Sequence, residues 1–327
     1  MQAGGPFFED LAVGDVVEGA PALTLTEGHA AQHQAILGDR LRLSLDAPLA
    51  GRVLGAGAAL AHPALVCDVA IGQSTLITQR VIANLFYRGL QLRRAPVIGD
   101  TLHTTTEVVA LRQNASRPTG MAVLRVRTVD QHQRAVLDFW RCAMLPLRDR
   151  EAATGHADDF DAIPTELDAD ALAGVCDGWD LGAFSAAAPG SHLDELTEGQ
   201  RWVVEGGDVV SAAPELARLT LNVAMAHHDR HANGSGRRLV YGGHTIGLAA
   251  SQATRALPNL VTIVAWHGCD HVGPVFEGDT LRSELELERI ERLAGGGGLV
   301  HLRSRVRAER DEGSAEVLDW RFVGVMA

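Results

Sequence analysis

Polar and apolar residues alternate over long stretches of this chain. In Ala122-Val123-Leu124-Arg125-Val126-Arg127 the alternation has a period of two, which marks a half-buried antiparallel strand. The same pattern predicts strands near 79–90, 101–112 and 120–146, and again near 260–268, 280–292 and 298–326. Ahead of each set lies a stretch rich in Gly, Ala and aliphatic residues without alternation, predicting helices around 57–72 and near 242–256. A small apolar helix beside a curved antiparallel sheet is an α+β arrangement in which the sheet wraps the helix.

The pattern occurs twice because the sequence does. Gly99-Asp100-Thr101-Leu102 returns as Gly278-Asp279-Thr280-Leu281, a shift of 179. Val136-Leu137-Asp138 returns as Val317-Leu318-Asp319, each followed within two positions by Trp, a shift of 181. Asp10-Leu11 before Gly14 matches Glu195-Leu196 before Gly199, a shift of 185. Chance likeness among strands would not hold nearly one offset, so two copies of one domain are expected, over 1–150 and 191–327. Residues 151–190, rich in Asp, Ala, Gly and Pro, are expected to be a linker. The GGGG run at 295–298 lies between strand patterns and predicts a hairpin loop, not a phosphate cradle.

Composition narrows the function. The chain has 327 residues, 46% of them hydrophobic, and a formal charge of −12. It contains no lysine, so all 29 basic residues are arginine. Lysine Schiff-base chemistry and a P-loop lysine are thereby excluded. The acidic balance argues against nucleic acid as a partner, and no apolar run approaches the length of a membrane span or forms a secretory leader. Cys67, Cys142, Cys176 and Cys269 form no CxxC pair; no disulfide framework is expected and a reducing cytoplasm is the expected compartment.

The candidate chemistry lies in Asn222-Val223-Ala224-Met225-Ala226-His227-His228-Asp229 and, downstream, Arg237-Arg238-Leu239-Val240-Tyr241-Gly242-Gly243-His244. This pair of segments resembles the MaoC-like (R)-specific enoyl-CoA hydratase family. Its signature is an acidic residue, four residues, a histidine, one residue and an aspartate, followed later by a glycine opening a central helix. His227, Asp229 and the pair Gly242 and Gly243 match; Asn222 stands where the family usually carries a catalytic aspartate. The strings FFEDLAVGD, GDTLHTTTEVVALRQN and GRRLVYGGHTIGLA are similar to members acting on short branched or dicarboxylic enoyl-CoA thioesters, a subgroup with asparagine before the histidine. The resemblance implies a tandem (double) hot-dog fold, each half a curved antiparallel sheet around a central helix. It further implies reversible hydration or dehydration of an acyl-CoA substrate without a cofactor or metal. Further copies of the chain are the other partner considered.

The roles follow from chemistry. His227 can exchange a proton near neutrality because its ordinary pKa is about 6.5; the competing reading is a hydrogen-bonded core histidine. Asn222 can only orient a water. Gly242 and Gly243, at a helix N-terminus, offer unpaired N–H groups to a developing oxyanion. Arg237 and Arg238 are candidates for a second acyl carboxylate or for the CoA phosphates. Tyr241 and His244 are expected at the pocket, His244 at its mouth.

Shifting by the repeat places Asp39, Ser44 and Asp46 opposite Asn222, His227 and Asp229, with His62-Pro63 at the glycine pair. Proline has no N–H, so the first half's site is expected to be degenerate, Asp39 to be a surface residue, and this half to wall the pocket. His228, His231, His267 and His271 match no zinc spacing, and Ser211 and Ser251 lack a nucleophile elbow. A thioesterase and a non-catalytic acyl-thioester binder remain the alternative functions.

Overall fold

The computed structural model describes residues 4–232 and 236–327; the first three residues of the N-terminal stretch lie outside them. In the first half, strands β1 (Val16–Val17) and β2 (Leu23–Thr24) precede helices α1 (Glu27–Leu37), α2 (Arg42–Leu45), α3 (Ala47–Leu54) and α4 (Pro63–Gln73). Strands β3 (Ala83–Leu92), β4 (Thr101–Gln113), β5 (Thr119–Val129) and β6 (Ala135–Pro146) follow. After α5 (Ala169–Ala173) and α6 (Leu181–Ala187) the pattern restarts with β7 (Arg201–Val203), β8 (Asp208–Val209), α7 (Ala213–Leu219) and α8 (Gly242–Ala256). It ends on β9 (Leu260–His271), β10 (Thr280–Arg292), β11 (Gly298–Arg310) and β12 (Gly313–Met326).

The long strands form one antiparallel sheet in the order β4-β5-β6-β3-β9-β12-β11-β10. Its two halves meet where β3 pairs with β9, Phe86 opposite Asp270 and Gln91 opposite Ala265. This is the tandem hot-dog arrangement, with α4 and α8 as the two central helices. Every residue of α4 is buried, as is α8 from Gly243 to Thr254; a helix apolar on all sides is one that is covered on all sides.

Four expectations need correction. The first central helix begins at Pro63 rather than near 57, because the fixed φ of proline and the His62 cap open it there. The stretch 120–146 is two strands: Asp130 accepts from the N–H groups of His132 and Arg134 and from the Arg134 guanidinium, folding a turn that Gln133 completes at φ +60°. The stretch 298–326 likewise splits at Gly313, φ +128°. Residues 151–190 are more than a linker. Asp168 and Asp180 cap α5 and α6, and Leu172, Leu181 and Phe184 are buried with Val261, Val264 and Val323. The GGGG run does join β10 to β11. No helix among the described residues is long and apolar enough to cross a membrane, and all four cysteines are free and buried.

One close approach positions the later chemistry. A Cβ on Gly72 would lie 1.7 Å from the carbonyl oxygen of Thr220 and 3.1 Å from the Asn222 nitrogen, so only glycine lets α4 touch the loop carrying Asn222. Thr75 holds the same loop by accepting from the Val223 N–H at 2.9 Å. Gly72→Ala is expected to cost about 1–3 kcal/mol through this overpacking, read as a lowered urea midpoint. An unchanged midpoint would show that the loop yields freely.

Candidate active site

A cavity of about 240 Å3 opens at the seam between the halves. The second half lines it with Asn222, His227, Tyr241, Gly242 and His271, and the first half with Thr75, Thr78, Asn84, Tyr87 and Arg141.

His227 closes a short 3-10 turn, Met225–His227, and is buried. Its Nδ1 lies 3.0 Å from the Leu239 carbonyl oxygen. A carbonyl only accepts, so Nδ1 carries the proton and the neutral ring keeps its lone pair on Nε2. Burial lowers its pKa to about 4, outweighing the bond to Leu239 that favours the charged form. The Tyr241 ring packs on it at 5.6 Å between centroids. Asn222 follows Leu221, whose φ of +59° is costly for a branched residue. Its Oδ1 accepts from the Ala224 N–H at 3.0 Å while Nδ2 is buried without a partner. His228 braces the loop by donating from Nε2 to the Asn222 carbonyl at 2.6 Å. No side chain caps α8, which leaves its first N–H groups to whatever enters the cavity. The glycines there are sterically required. A Cβ on Gly243 would sit 1.9 Å from Asp68 Oδ1, and one on Gly242 would sit 2.6 Å from His271 Nε2.

The structure thus brings together His227, Asn222, Tyr241 and Gly242, with Gly243 packed behind. It does not bring in the others. Asp229 is exposed and accepts from the His231 N–H in its own turn. Arg238 pairs with Glu277, and Arg237 lies over the Phe276 ring at 3.9 Å, 4.0 Å from Asp279; neither lines the cavity. His244 is fully buried with both ring nitrogens unpartnered, away from the pocket mouth where the sequence places it. Burial, and then the charge of His33, lowers its pKa to about 4.

Arg141 is the residue sequence reasoning missed. It is 2% exposed and donates to Thr78 Oγ1 at 2.7 Å, the Ser74 carbonyl at 3.2 Å and Asn84 Oδ1 at 3.4 Å. No carboxylate pairs with it among the described residues, and its Nε is unpartnered. Its signal was present: residues 137, 139, 143 and 145 of β6 are buried, and Arg141 occupies the matching inward position.

The first half's counterpart is charged and closed. Asp39, expected at the surface, is 2% exposed, because His33 Nδ1 and His62 Nε2 each lie 3.5 Å from its carboxylate. His33 Nε2 faces Asp68 at 3.8 Å. The donor atoms of His33, Asp39 and His62 lie within 4.8 Å of one another, close enough for a cation. However, His62 Nδ1 accepts the Ala64 N–H at 3.1 Å, so in the neutral ring Nε2 bears the proton and has no lone pair for a metal. The trio as arranged is a buried cluster of close polar groups, with His33 and Asp39 its charged members. Ser44 supplies no histidine, and Asp46 caps α3.

Comparison with known proteins places these residues in context. No family model matches the chain. Two curated relatives do: β-methylmalyl-CoA dehydratase of Chloroflexus aurantiacus, 31% identical over 94% of this chain and 89% of its own, and mesaconyl-CoA hydratase of Cereibacter sphaeroides, 31% identical over 91% and 88%. Among solved structures, a conserved hypothetical protein of Mycobacterium tuberculosis with a double hotdog fold is 51% identical over the full length of both chains, TM-score 0.91. A putative MaoC domain dehydratase of Chloroflexus aurantiacus is 27% identical over 98% of this chain and 97% of its own, TM-score 0.87.

The ion cluster gives a pH test. Burial alone would lower the His33 pKa, but Asp39 and Asp68 outweigh it and the net shift is upward. Burial would raise Asp39, but His62 and His33 outweigh it and the net shift is downward. A raised histidine stabilises the fold fully below about 6.5 and loses that contribution as pH climbs through its folded value; the lowered Asp39 contributes above about 4 and fails as pH falls. Melting curves of His33→Gln are therefore expected to lag wild type more at pH 6 than at pH 9. An equal gap at both would exclude a protonated His33.

Proposed function

The chain belongs to the MaoC-like hydratase and dehydratase family that includes β-methylmalyl-CoA dehydratase and mesaconyl-CoA hydratase, and from that premise we propose that it reversibly hydrates a short enoyl-CoA thioester carrying a second carboxylate, with His227 as base and acid. The observation that carries the reading is the His227 tautomer, whose free Nε2 lone pair shares a cavity with the uncapped end of α8.

In this reading Nε2 takes a proton from water held against the buried Asn222 Nδ2–H. The oxygen adds to C3 of the enoyl group, and the π electrons move to the thioester oxygen, which the α8 N–H groups stabilise. His227 then returns the proton to C2. One group serves both steps, so the family's aspartate is dispensable and protons balance. Arg141 supports the second carboxylate. An unpaired buried guanidinium costs several kcal/mol, and an acyl carboxylate reaching it would recover that cost through charge-assisted hydrogen bonds. Arg238, engaged by Glu277, is a poorer candidate than the sequence suggested.

His227→Ala is expected to abolish hydration of mesaconyl-CoA in a protein with wild-type circular dichroism, and no free thiol should be released by wild type. Thiol release would favour the thioesterase. Because a base must be unprotonated, the acid limb of kcat/KM should lie near pH 4, with a plateau from pH 6 to 8; a limb near 6.5 contradicts a buried neutral His227. Arg141→Met is expected to lower kcat/KM for mesaconyl-CoA by about ten- to a hundredfold and to spare crotonyl-CoA, which has no second carboxylate. Equal losses on both substrates would remove Arg141 from acyl recognition.

A further inference from the structure

Water addition leaves negative charge on the thioester oxygen, and a side-chain donor beside the backbone N–H groups would steady it further. We infer that His271 is a catalytic hydrogen-bond donor to the thioester carbonyl, acting with the N–H groups at the start of α8. The inference rests on the hydratase reading of the same cavity.

His271 ends β9, on the strand that joins the two halves, and its ring lines the cavity together with His227. Its Nε2 is buried and has no hydrogen-bond partner. The same nitrogen is the atom that a Cβ on Gly242 would meet, at 2.6 Å, so it faces the first residue of the helix where the oxyanion would rest. The Tyr87 ring meets the imidazole edge-on, 5.9 Å between centroids at 70°, and holds its plane. The other polar side chains of the cavity have other tasks in the hydratase reading. Asn222 Nδ2 is assigned to the attacking water, the Tyr241 hydroxyl donates toward the Asp68 carbonyl, and Arg141 is assigned to the acyl carboxylate.

The alternative role, a second acid, fails on charge. Burial and then the charge of His227 lower the His271 pKa to about 4, so the ring is neutral at working pH. Giving up its one proton would leave an imidazolate in an apolar cavity. As a neutral donor it keeps that proton throughout: water's proton goes to His227 and back to C2, and His271 only shares its N–H with the developing oxyanion. A neutral imidazole is well matched to this task, because it polarises a carbonyl without first competing for the base's proton.

The test uses the full chain with crotonyl-CoA and mesaconyl-CoA, reading turnover and the ultraviolet band of the bound enoyl thioester, which shifts to the red when its carbonyl is polarised. His271→Phe is expected to lower kcat by about 10²–10³, to change KM by less than about threefold, and to lose the red shift. His271→Gln retains an N–H donor and is expected to recover kcat to within about tenfold of wild type. Wild-type kcat in the Phe variant overturns the inference, as does an equal loss in Phe and Gln variants that both keep the red shift. A wild-type protein that red-shifts bound crotonyl-CoA without hydrating it would overturn the hydratase reading and still support the donor role.

Discussion

The pairing of β3 with β9 is the contact on which the rest of the molecule depends. Neither half of the repeat presents a free sheet edge there, because each satisfies its backbone groups with the other. Joining the sheets along that line sets α4 beside α8 and brings the end of β9, where His271 sits, against the wall that carries Tyr87 and Arg141. The cavity exists because two curved sheets meet without filling the space above their seam. Gly72 then lets the Asn222 loop close down on α4 with no side chain between.

The two copies differ at the starts of their central helices. At α8 the chain places Gly242 and Gly243 with no side-chain cap, leaving donors free at a positive helix end. At α4 the equivalent place carries Pro63, which has no N–H, and His62, whose Nδ1 occupies the next one. What remains in the first copy is a buried cluster in which His33 lies between the Asp39 and Asp68 carboxylates and a neutral His62 faces Asp39. Buried ions survive only when paired. That rule makes Arg141, whose bonds go to Thr78, Ser74 and Asn84 and to no carboxylate among the described residues, conspicuous.

The local part of this organisation was legible in the sequence. Strand alternation, the 179–185-residue repeat, and the His227 and Gly242 segments are patterns confined to a few neighbouring residues. What escaped is what pairing brings together. Arg141 and His271 lie 86 and 44 residues from His227 and join it only through strand registers that no local pattern encodes. The partner of Arg238 is Glu277, 39 residues on, so its engagement could not be foreseen. The turn at Gln133 was hidden because its positive φ falls on a residue other than glycine. Likewise α5 and α6 were masked by a composition typical of linkers, although the capping aspartates Asp168 and Asp180 were visible.

The cavity's walls come from separate stretches of the gene: Thr75, Thr78, Asn84, Tyr87 and Arg141 from the first copy, His227, Tyr241 and Gly242 from the second. Two unlike copies in one chain thus divide the cavity's lining in a way that a single hot-dog unit pairing with an identical partner cannot, since in such a dimer each change appears on both sides at once. Here substitutions in the first copy can reshape one wall of the cavity while the segment carrying His227 stays untouched. One wall of such a cavity can vary in shape independently of the other.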